Sequence, residues 1–424
     1  MGLKTGTKTE TCITVIGSLN YDLVTYTSVF PKVGETIESN DFEPHIGGKG
    51  LNESISISKL LTKSDDGKDN YGNENVSLRL IGCVADDTFG KEILGYLKTF
   101  NLNYEYVKIF KNNNVKGDEI IKYKTPVAVI LVEDNIGENR ILFYPGTNNY
   151  LKFDNEYLNE LFLNGNGKSK KNLIVIQNEI PDFINVINWA DSNRKNEDYE
   201  NGYNNYQVCY NPSPFKEIND LKFWKKIDLL IMNEIESINL FNLIITIDSN
   251  LSEDHKQELI NQFNQNEANG NDKLKLCDYK KLSNFLFDYI NNSEGSLSCL
   301  IVTLGSVGSI INFIDNEKKQ LFLKSMSLAR EKIVDTTGAG DTFFGAIISQ
   351  ITLNENFQNN KKLNTSDYKK LARSIGKHAR SRRSSKPSWL GRLCSIQNFR
   401  TRRIDECPLH HLRQSYSGTI SLQR

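Results

Sequence analysis

The feature that most restricts the fold of this chain is its alternation of short apolar runs with segments of helical spacing. The chain contains six apolar runs of five or six residues, and each ends near a glycine or a polar residue. The runs are residues 12–17, 78–82, 173–177, 206–210, 227–232 and 299–304. Runs of this kind are typical of buried strands in a parallel sheet. Two segments between the first three runs, residues 52–61 and 90–99, carry apolar residues at helical spacing. The alternation predicts an α/β domain with a mostly parallel central sheet.

Two further segments have a more extended pattern. Residues 22–42 and 119–144 alternate in part between apolar and polar side chains, as in PVAVILV at residues 126–132. Alternation favours strands, so we expect these segments to form a small separate sheet. Polar stretches rich in Asn, Asp, Lys and Gly lie between the predicted elements and suit surface insertions.

Length and composition exclude several classes of protein. The chain has 424 residues, which is enough for one large or two ordinary domains. It contains no run of 18 apolar residues, so no ordinary transmembrane helix and no membrane partner is expected. Its seven cysteines are scattered without a C-x-x-C pair, which argues against a disulfide framework or a zinc ribbon. We expect a cytoplasmic protein, with the nucleus as a second location.

The charge of the chain changes abruptly near residue 377. Residues 377–424 carry nine arginines and two lysines against Asp405 and Glu406, a net charge of +9, so residues 1–376 carry −9 in a chain of zero net charge. This basic, Arg- and Ser-rich tail has three interpretations: contact with nucleic acid or acidic membranes, a disordered end, or an altered reading frame or splice. Nucleic acid is the least expected partner, because the larger part of the chain is acidic.

The stronger of two glycine motifs is DTTGAGDTFFG at residues 335–345, directly before an apolar helical segment. Gly338 and Gly340 permit backbone angles that side chains forbid, and the N–H groups at a helix start bind anions. An acidic residue, Asp341, stands at this predicted anion site. It is either a helix N-cap or a general base that takes the proton from a substrate hydroxyl attacking a γ-phosphate. The complete string of eleven residues favours the base.

The second glycine motif is GGKGLN at residues 47–52, at the start of a predicted helix. It is not a Walker A loop, because Gly50 stands where that loop needs Ser or Thr. The motif is either a tight turn with an exposed lysine or a close backbone approach to a polyhydroxyl ligand. We expect Asn20 and Asp22 to end the first strand, where an amide and a carboxylate can grip adjacent sugar hydroxyls.

Together, GSLNYDL (residues 17–23), GGKGLNES (47–54) and DTTGAGDTFFGA (335–346) resemble the ribokinase, or PfkB-type carbohydrate kinase, family. Five shorter segments lie between the last two in family order: VADDTFG, QNEIP, YNPSP, MNEIES and VTLGSVG. The resemblance implies a three-layer ribokinase-like α/β fold over residues 1–376, with a mostly parallel central sheet. It also implies that residues 22–42 and 119–144 form a β-sheet lid, and that two copies pair as a homodimer through this lid.

The resemblance assigns site residues position by position. It makes Asp341 the catalytic base and places the sugar against Asn20, Asp22, Gly48, Lys49, Gly50, Asn52, Glu179 and Asp341. It places the nucleotide against Asn233, Thr303, Leu304, Gly305, Ser306, Gly308, Gly338, Ala339 and Gly340. Asn233 and Glu236 would organise magnesium indirectly, and Asp335 and Thr337 would contribute to a potassium site. The alternative for Asn233 and Glu236 is a helix cap, and for Thr303 a strand end.

The activity that the resemblance implies is phosphorylation of D-ribose at its 5-hydroxyl by ATP, with Mg2+ accompanying ATP and K+ as an activator. Two alternatives stay open: a kinase for another sugar or a nucleoside, and a catalytically impaired sugar-binding descendant. From Lys377 the chain departs from the family pattern, in which a helix contacts adenine and a loop of small residues completes the cation site. This departure motivates the hypothesis of an altered frame or splice.

Overall fold

The computed structural model describes residues 11–61, 76–100, 102–111, 115–116, 119–120, 122–133, 138–163, 171–194, 206–264, 274–292, 295–325, 338–354, 357 and 363–370. The chain divides into two compact units, residues 1–209 with 337–385 and residues 210–336 with 386–424. The basic tail and the predicted potassium residues Asp335 and Thr337 lie outside the described residues.

The first unit alternates strands and helices along the chain. Its strands are β1 (Thr11–Ile16), β2 (Asn20–Thr27), β3 (Asp41–Gly47), β4 (Val76–Ala85), β5 (Val107–Phe110), β6 (Val115–Lys116), β7 (Glu119–Ile120), β8 (Val127–Glu133), β9 (Glu138–Tyr144) and β10 (Lys171–Gln177). Its helices are α1 (Lys49–Leu61), α2 (Thr88–Leu97), α3 (Asn155–Phe162), α4 (Phe183–Ser192) and, from the later segment, α8 (Ala339–Leu353). The boundary between the units falls within β11 (Tyr206–Asn211).

The larger sheet of the first unit is parallel. β1 pairs with β10 on one side and with β4 on the other, and β4 pairs with β5. Every residue of β1 and β10 is buried, which explains why these strands are near-continuous apolar runs in the sequence.

A smaller sheet has the order β3-β2-β8-β9. β2 is antiparallel to β3 and parallel to β8, and β8 is antiparallel to β9. Its buried side is built from Val24, Ala128 and Ile130, with Tyr26 and Val132 packed against them. The small sheet predicted from the extended segments is therefore present. The strands occupy only parts of those segments, because residues 28–40 connect β2 to β3 and residues 119–120 pair in a separate hairpin with β6.

Helices α1 and α8 each begin within one of the two glycine motifs, and they pack closely against each other. Ser56 Oγ donates to the carbonyl oxygen of Thr342 over 3.0 Å. A Cβ added at Gly345 would lie 2.6 Å from the Ser56 Cβ, so only glycine permits this approach.

The second unit combines parallel and antiparallel strands. It contains β12 (Leu229–Asn233), α5 (Glu234–Ile247), α6 (Glu253–Asn264), α7 (Leu276–Asn291), β13 (Cys299–Thr303), β14 (Gly308–Asp315) and β15 (Glu317–Lys324). β12 and β13 are parallel, whereas β14 is antiparallel to both β13 and β15. The predicted α/β class, with mostly parallel strands and a small separate sheet, is confirmed. None of the helices in the described part of the chain is long and apolar enough to span a membrane.

Candidate active site

Asn20 and Asp22 do not end the first strand, so that expectation is wrong. β1 ends at Ile16, and both residues lie at the start of β2 in the small sheet. The physical reason is the GSL segment at residues 17–19, where the chain leaves the parallel sheet and restarts as a strand paired with β3 and β8. Both side chains are nonetheless nearly buried, and the Asp22 carboxylate lies over Gly47, where an added Cβ would be 2.1 Å from Asp22 Oδ2.

The GGKGLN motif makes a close backbone approach to the turn after β1. Gly48 has φ of +96°, and a Cβ there would lie 2.7 Å from the Ser18 carbonyl oxygen. A Cβ on Gly50 would lie 2.7 Å from the Gly17 Cα. Glycine is therefore required at both positions for α1 to begin against this turn.

The start of α1 also carries a cluster of polar contacts. The Lys49 backbone N–H donates to Ser18 Oγ over 3.0 Å and to Glu179 Oε2 over 3.2 Å. Ser18 Oγ itself donates to Glu179 Oε2. Glu179 follows β10, so these bonds bring the predicted sugar residues Lys49 and Glu179 together.

Asp341 is the meeting point of the two glycine motifs. Its Oδ2 accepts a hydrogen bond of 2.9 Å from Asn52 Nδ2, and its Oδ1 lies 3.5 Å from Lys49 Nζ. Asp341 is only 6% exposed and lies in the first turn of α8. An amide and an ammonium thus hold a nearly buried carboxylate in one orientation.

The first turn of α8, which carries Asp341, also has free backbone N–H groups. Gly338 precedes α8 with φ of +70°. The first bond of the helix runs from the Thr342 N–H to the Gly338 carbonyl oxygen, over 2.9 Å. The N–H groups of Ala339, Gly340 and Asp341 precede that bond and are not used within the helix. Such groups, with the helix dipole, favour an anion beside Asp341.

Sequence reasoning missed Asn148 as a neighbour of the sugar residues. Asn148 Nδ2 donates to Asn20 Oδ1 over 2.9 Å, and both side chains are buried. Asn148 lies in a short 3₁₀ segment, Gly146–Tyr150, that begins with a glycine at φ of +48°. The PGTN string after a predicted strand was the available signal, because glycine followed by a small polar residue marks a turn that can aim a side chain.

Sequence reasoning also missed Glu53 and Gln177, which lie fully buried next to this cluster. Gln177 Nε2 donates to Glu53 Oε2. Burial raises the pKa of Glu53 well above its ordinary value, and the charges of Asp341 and Glu179 raise it further, against the opposing effects of Lys49 and the Gln177 hydrogen bond. The available signal was a glutamate directly after GGKGLN, because a buried carboxyl group is unfavourable unless it is hydrogen-bonded or paired.

The nucleotide residues predicted in the second unit have well-defined local roles. Asn233 and Glu236 form a capping box at the start of α5: Asn233 Oδ1 accepts from the Glu236 N–H over 2.8 Å, and Glu236 Oε2 accepts from the Asn233 N–H over 2.9 Å. The cap that was the alternative interpretation is thus present. Thr303 ends β13, and Gly305 and Gly308 have φ of +48° and +141° around a short turn that leaves Ser306 exposed.

No group of three or more His, Cys, Asp or Glu side chains that could hold a metal ion occurs within the described residues. The indirect role of Asn233 and Glu236 towards magnesium stays a prediction. The potassium residues are not among those described, so that site stays a prediction.

The pattern of the pfkB family of carbohydrate kinases matches residues 10–268 and 285–363. The chain belongs to this family. This pfkB kinase is therefore a phosphotransferase. It is 30% identical over 346 residues to the ribokinase of Dictyostelium discoideum, covering 80% of this chain and 86% of the relative. It is 31% identical over 348 residues to the ribokinase of Lactococcus lactis, covering 81% and 85%.

A solved structure supports the fold of the pfkB kinase. The structure of Arabidopsis thaliana ribokinase complexed with ribose and ATP matches with a TM-score of 0.55 and 21% identity, over 93% of this chain and 100% of that chain. The ribokinase-like architecture implied by the sequence motifs is thus confirmed.

Proposed function

We propose that this kinase transfers the γ-phosphate of ATP to the 5-hydroxyl of D-ribose, giving ribose 5-phosphate and ADP. The observation that carries the proposal is the nearly buried Asp341 carboxylate, held by Asn52 and Lys49 beside unused helix N–H groups. The names of the two relatives and the ribose and ATP of the Arabidopsis complex support the choice of substrates.

Asp341 acts as the general base in this proposal. Its carboxylate accepts the proton of the attacking hydroxyl, and the oxygen then forms a bond to the γ-phosphorus while the bond to the ADP oxygen breaks. The hydrogen bond from Asn52 and the contact with Lys49 hold the carboxylate in one orientation. The N–H groups of Ala339 and Gly340 stabilise the negative charge on the transferring group.

The sugar is held by the residues around the start of α1. Asn20 and Asp22 bind adjacent hydroxyls, together with the backbone of Gly48 and Gly50 and the side chains of Lys49 and Asn52. Glu179 completes the set, and its contacts with Ser18 and the Lys49 N–H support a fixed carboxylate at this place. Asn148 donates a hydrogen bond to Asn20 Oδ1 and so fixes the orientation of the Asn20 amide. In this orientation the Asn20 amide nitrogen is the group that donates to the sugar.

In the second unit, this proposal assigns ATP contacts to residues 303–306, Gly308 and Asn233. In the first unit, it assigns phosphate contacts to Gly338, Ala339 and Gly340. The turn around Gly305 and Gly308 supports this role, because glycine backbones with positive φ can turn N–H groups towards phosphate. Magnesium, when bound with ATP, neutralises charge on the phosphates. Glu236 fits an indirect role towards it, since its carboxylate is already held by the capping box. Potassium activation through Asp335 and Thr337 stays a prediction.

We also propose that two copies pair through the small sheet. Its outer strand β9 exposes consecutive large apolar side chains, of which Ile141 is 56% and Leu142 70% accessible. An apolar strand at a sheet edge favours pairing with another chain. The cytoplasmic and nuclear locations stay predictions.

The substrate is tested by measuring ADP release with ribose, 2-deoxyribose, fructose and adenosine at matched concentrations. We expect the highest kcat/KM with ribose and a phosphorylated product at the 5-hydroxyl. A higher kcat/KM with a nucleoside or another sugar would replace ribose by that substrate. Tight ribose binding in calorimetry without ADP release would instead favour the catalytically impaired descendant.

A further inference from the structure

Two neighbouring side chains of the first unit each have a buried oxygen without a hydrogen-bond partner in the part of the chain that the structure describes. These atoms are Glu53 Oε1, on α1, and Gln177 Oε1, at the end of β10. Both side chains are 0% exposed, and the other ends of the same two groups are joined by the bond from Gln177 Nε2 to Glu53 Oε2. The Gln177 amide fits tightly here, because a Cβ on Gly17 would lie 2.2 Å from Gln177 Oε1.

An ionised Glu53 cannot account for this arrangement. A carboxylate is an acceptor only, and the Gln177 amide oxygen is also an acceptor, so both unpaired atoms need a donor. Leaving buried acceptors unpaired is unfavourable. A single proton on Glu53 Oε1 removes both deficits, because the O–H can donate to Gln177 Oε1 while Gln177 Nε2 donates to Glu53 Oε2.

The charges that face Glu53 also favour its neutral form. From α8 it faces the Asp341 carboxylate, and from the segment after β10 it faces Glu179. Within the described residues, the only cation among the groups that act on Glu53 is Lys49, on its own helix, and Lys49 Nζ lies 3.5 Å from Asp341 Oδ1. An ionised Glu53 would therefore be repelled by two carboxylates, and it would compete with Asp341 for the contact with Lys49.

We infer that Glu53 is a neutral carboxylic acid that forms a reciprocal, two-bond pair with the Gln177 amide. The pair joins α1 to β10, where Glu53 follows Asn52 and Gln177 lies two residues before Glu179, and it adds no charge beside Lys49 and Asp341. Glu53 is thus a positioning residue, which acts through Lys49 and Asp341 and not on the substrate. Its effect on catalysis rests on the proposed function, whereas its protonation does not.

The decisive test is spectroscopic and needs no turnover. The full chain, labelled with ¹³C at the glutamate carboxyl carbons, is compared with Glu53→Gln at neutral pH. We expect a signal of a protonated, hydrogen-bonded carboxylic acid in the wild type and its loss in Glu53→Gln. A spectrum in which every glutamate is a carboxylate at neutral pH would overturn the inference. An inactive wild-type protein that shows the signal would count against the proposed function alone.

Two variants separate the neutral pair from a merely buried side chain. Glu53→Gln keeps a two-bond amide pair but cannot ionise, so we expect the alkaline limb of its pH profile to shift upwards relative to the wild type. The double variant Glu53→Gln with Gln177→Glu exchanges acid and amide, and we expect it to restore the carboxylic acid signal. Identical alkaline limbs in the wild type and Glu53→Gln, or a double variant that shows only carboxylate, would contradict the inference.

Discussion

Asn52 Nδ2 donates a hydrogen bond of 2.9 Å to Asp341 Oδ2 and so joins two glycine motifs that are 289 residues apart in the chain. The bond fixes the direction in which the carboxylate points, and Lys49 lies 3.5 Å from the other oxygen. A base that must meet one hydroxyl at one angle depends on such support.

Replacing Asn52 by aspartate should reduce kcat while leaving the fold intact. The new carboxylate cannot donate to Asp341 and repels its charge, and loss of a hydrogen bond to a charged group corresponds to about a 10- to 100-fold decrease. Steady-state kinetics with ribose and ATP give the measurement. The matched control is Asn185→Asp, at an exposed position of α4, which should leave kcat unchanged. Equal activity of both variants would show that Asn52 does not support the base.

Replacing Asn148 by aspartate should weaken sugar binding. The carboxylate cannot donate to Asn20 Oδ1, so the Asn20 amide is free to rotate and presents the wrong atom to the hydroxyl. We expect the KM for ribose to rise roughly 3- to 10-fold, with a smaller change in kcat and in the KM for ATP. Its neighbour Asn149 is exposed, and Asn149→Asp is the control. An unchanged ribose KM in Asn148→Asp would remove Asn148 from the site.

Replacing Gly50 by alanine should destabilise the protein. The added Cβ would meet the Gly17 backbone at 2.7 Å, and overpacking of this kind costs roughly 1–3 kcal/mol in the free energy of unfolding. Gly340→Ala is the control, since an added Cβ there meets nothing within 4 Å. Urea denaturation of the two variants measures the difference. A fully stable Gly50→Ala protein would mean that α1 does not need this close approach.

The stability of the protein should decrease with rising pH because of Glu53. Its ordinary pKa is 4.5, and burial first, then the charge of Asp341, raises the pKa of the folded-state carboxyl well above that value. Between the two values the folded protein binds one proton more than the unfolded chain, so stability is full below pH 4.5 and is lost as the pH rises towards the folded pKa. Relative to Glu53→Gln, the wild type should lose up to about 1.4 kcal/mol per pH unit in this range. Parallel pH curves for the two proteins would contradict this assignment.

Much of the fold could be predicted from the sequence because burial on both faces leaves a direct trace in it. β1 and β10 are apolar runs for this reason, and the glycines at positions 48 and 50 mark the approach of α1 to the turn after β1. The motifs likewise placed Asn52 and Asp341 in one site.

Other features could not be predicted because they depend on contacts between distant segments. Asn20 and Asp22 lie in β2 because this segment pairs with β3 and β8, and no local sequence pattern specifies that pairing. The bond between Asn148 and Asn20 joins residues 128 positions apart, and the pairing of Glu53 with Gln177 joins residues 124 apart. Local periodicity contains no information about such partners.

The most direct test of the account is the turnover of Asp341→Asn with ribose and ATP. The amide is isosteric and its oxygen can still accept a hydrogen bond from Asn52 or from Lys49, but it cannot take up the proton of the hydroxyl. We predict that kcat falls by about 10²- to 10⁴-fold, with ribose binding and thermal unfolding close to the wild type. Asp288→Asn, at a half-exposed surface ion pair with Lys318, should retain full activity. Turnover of Asp341→Asn near the wild-type rate would contradict the assignment of Asp341 as the base.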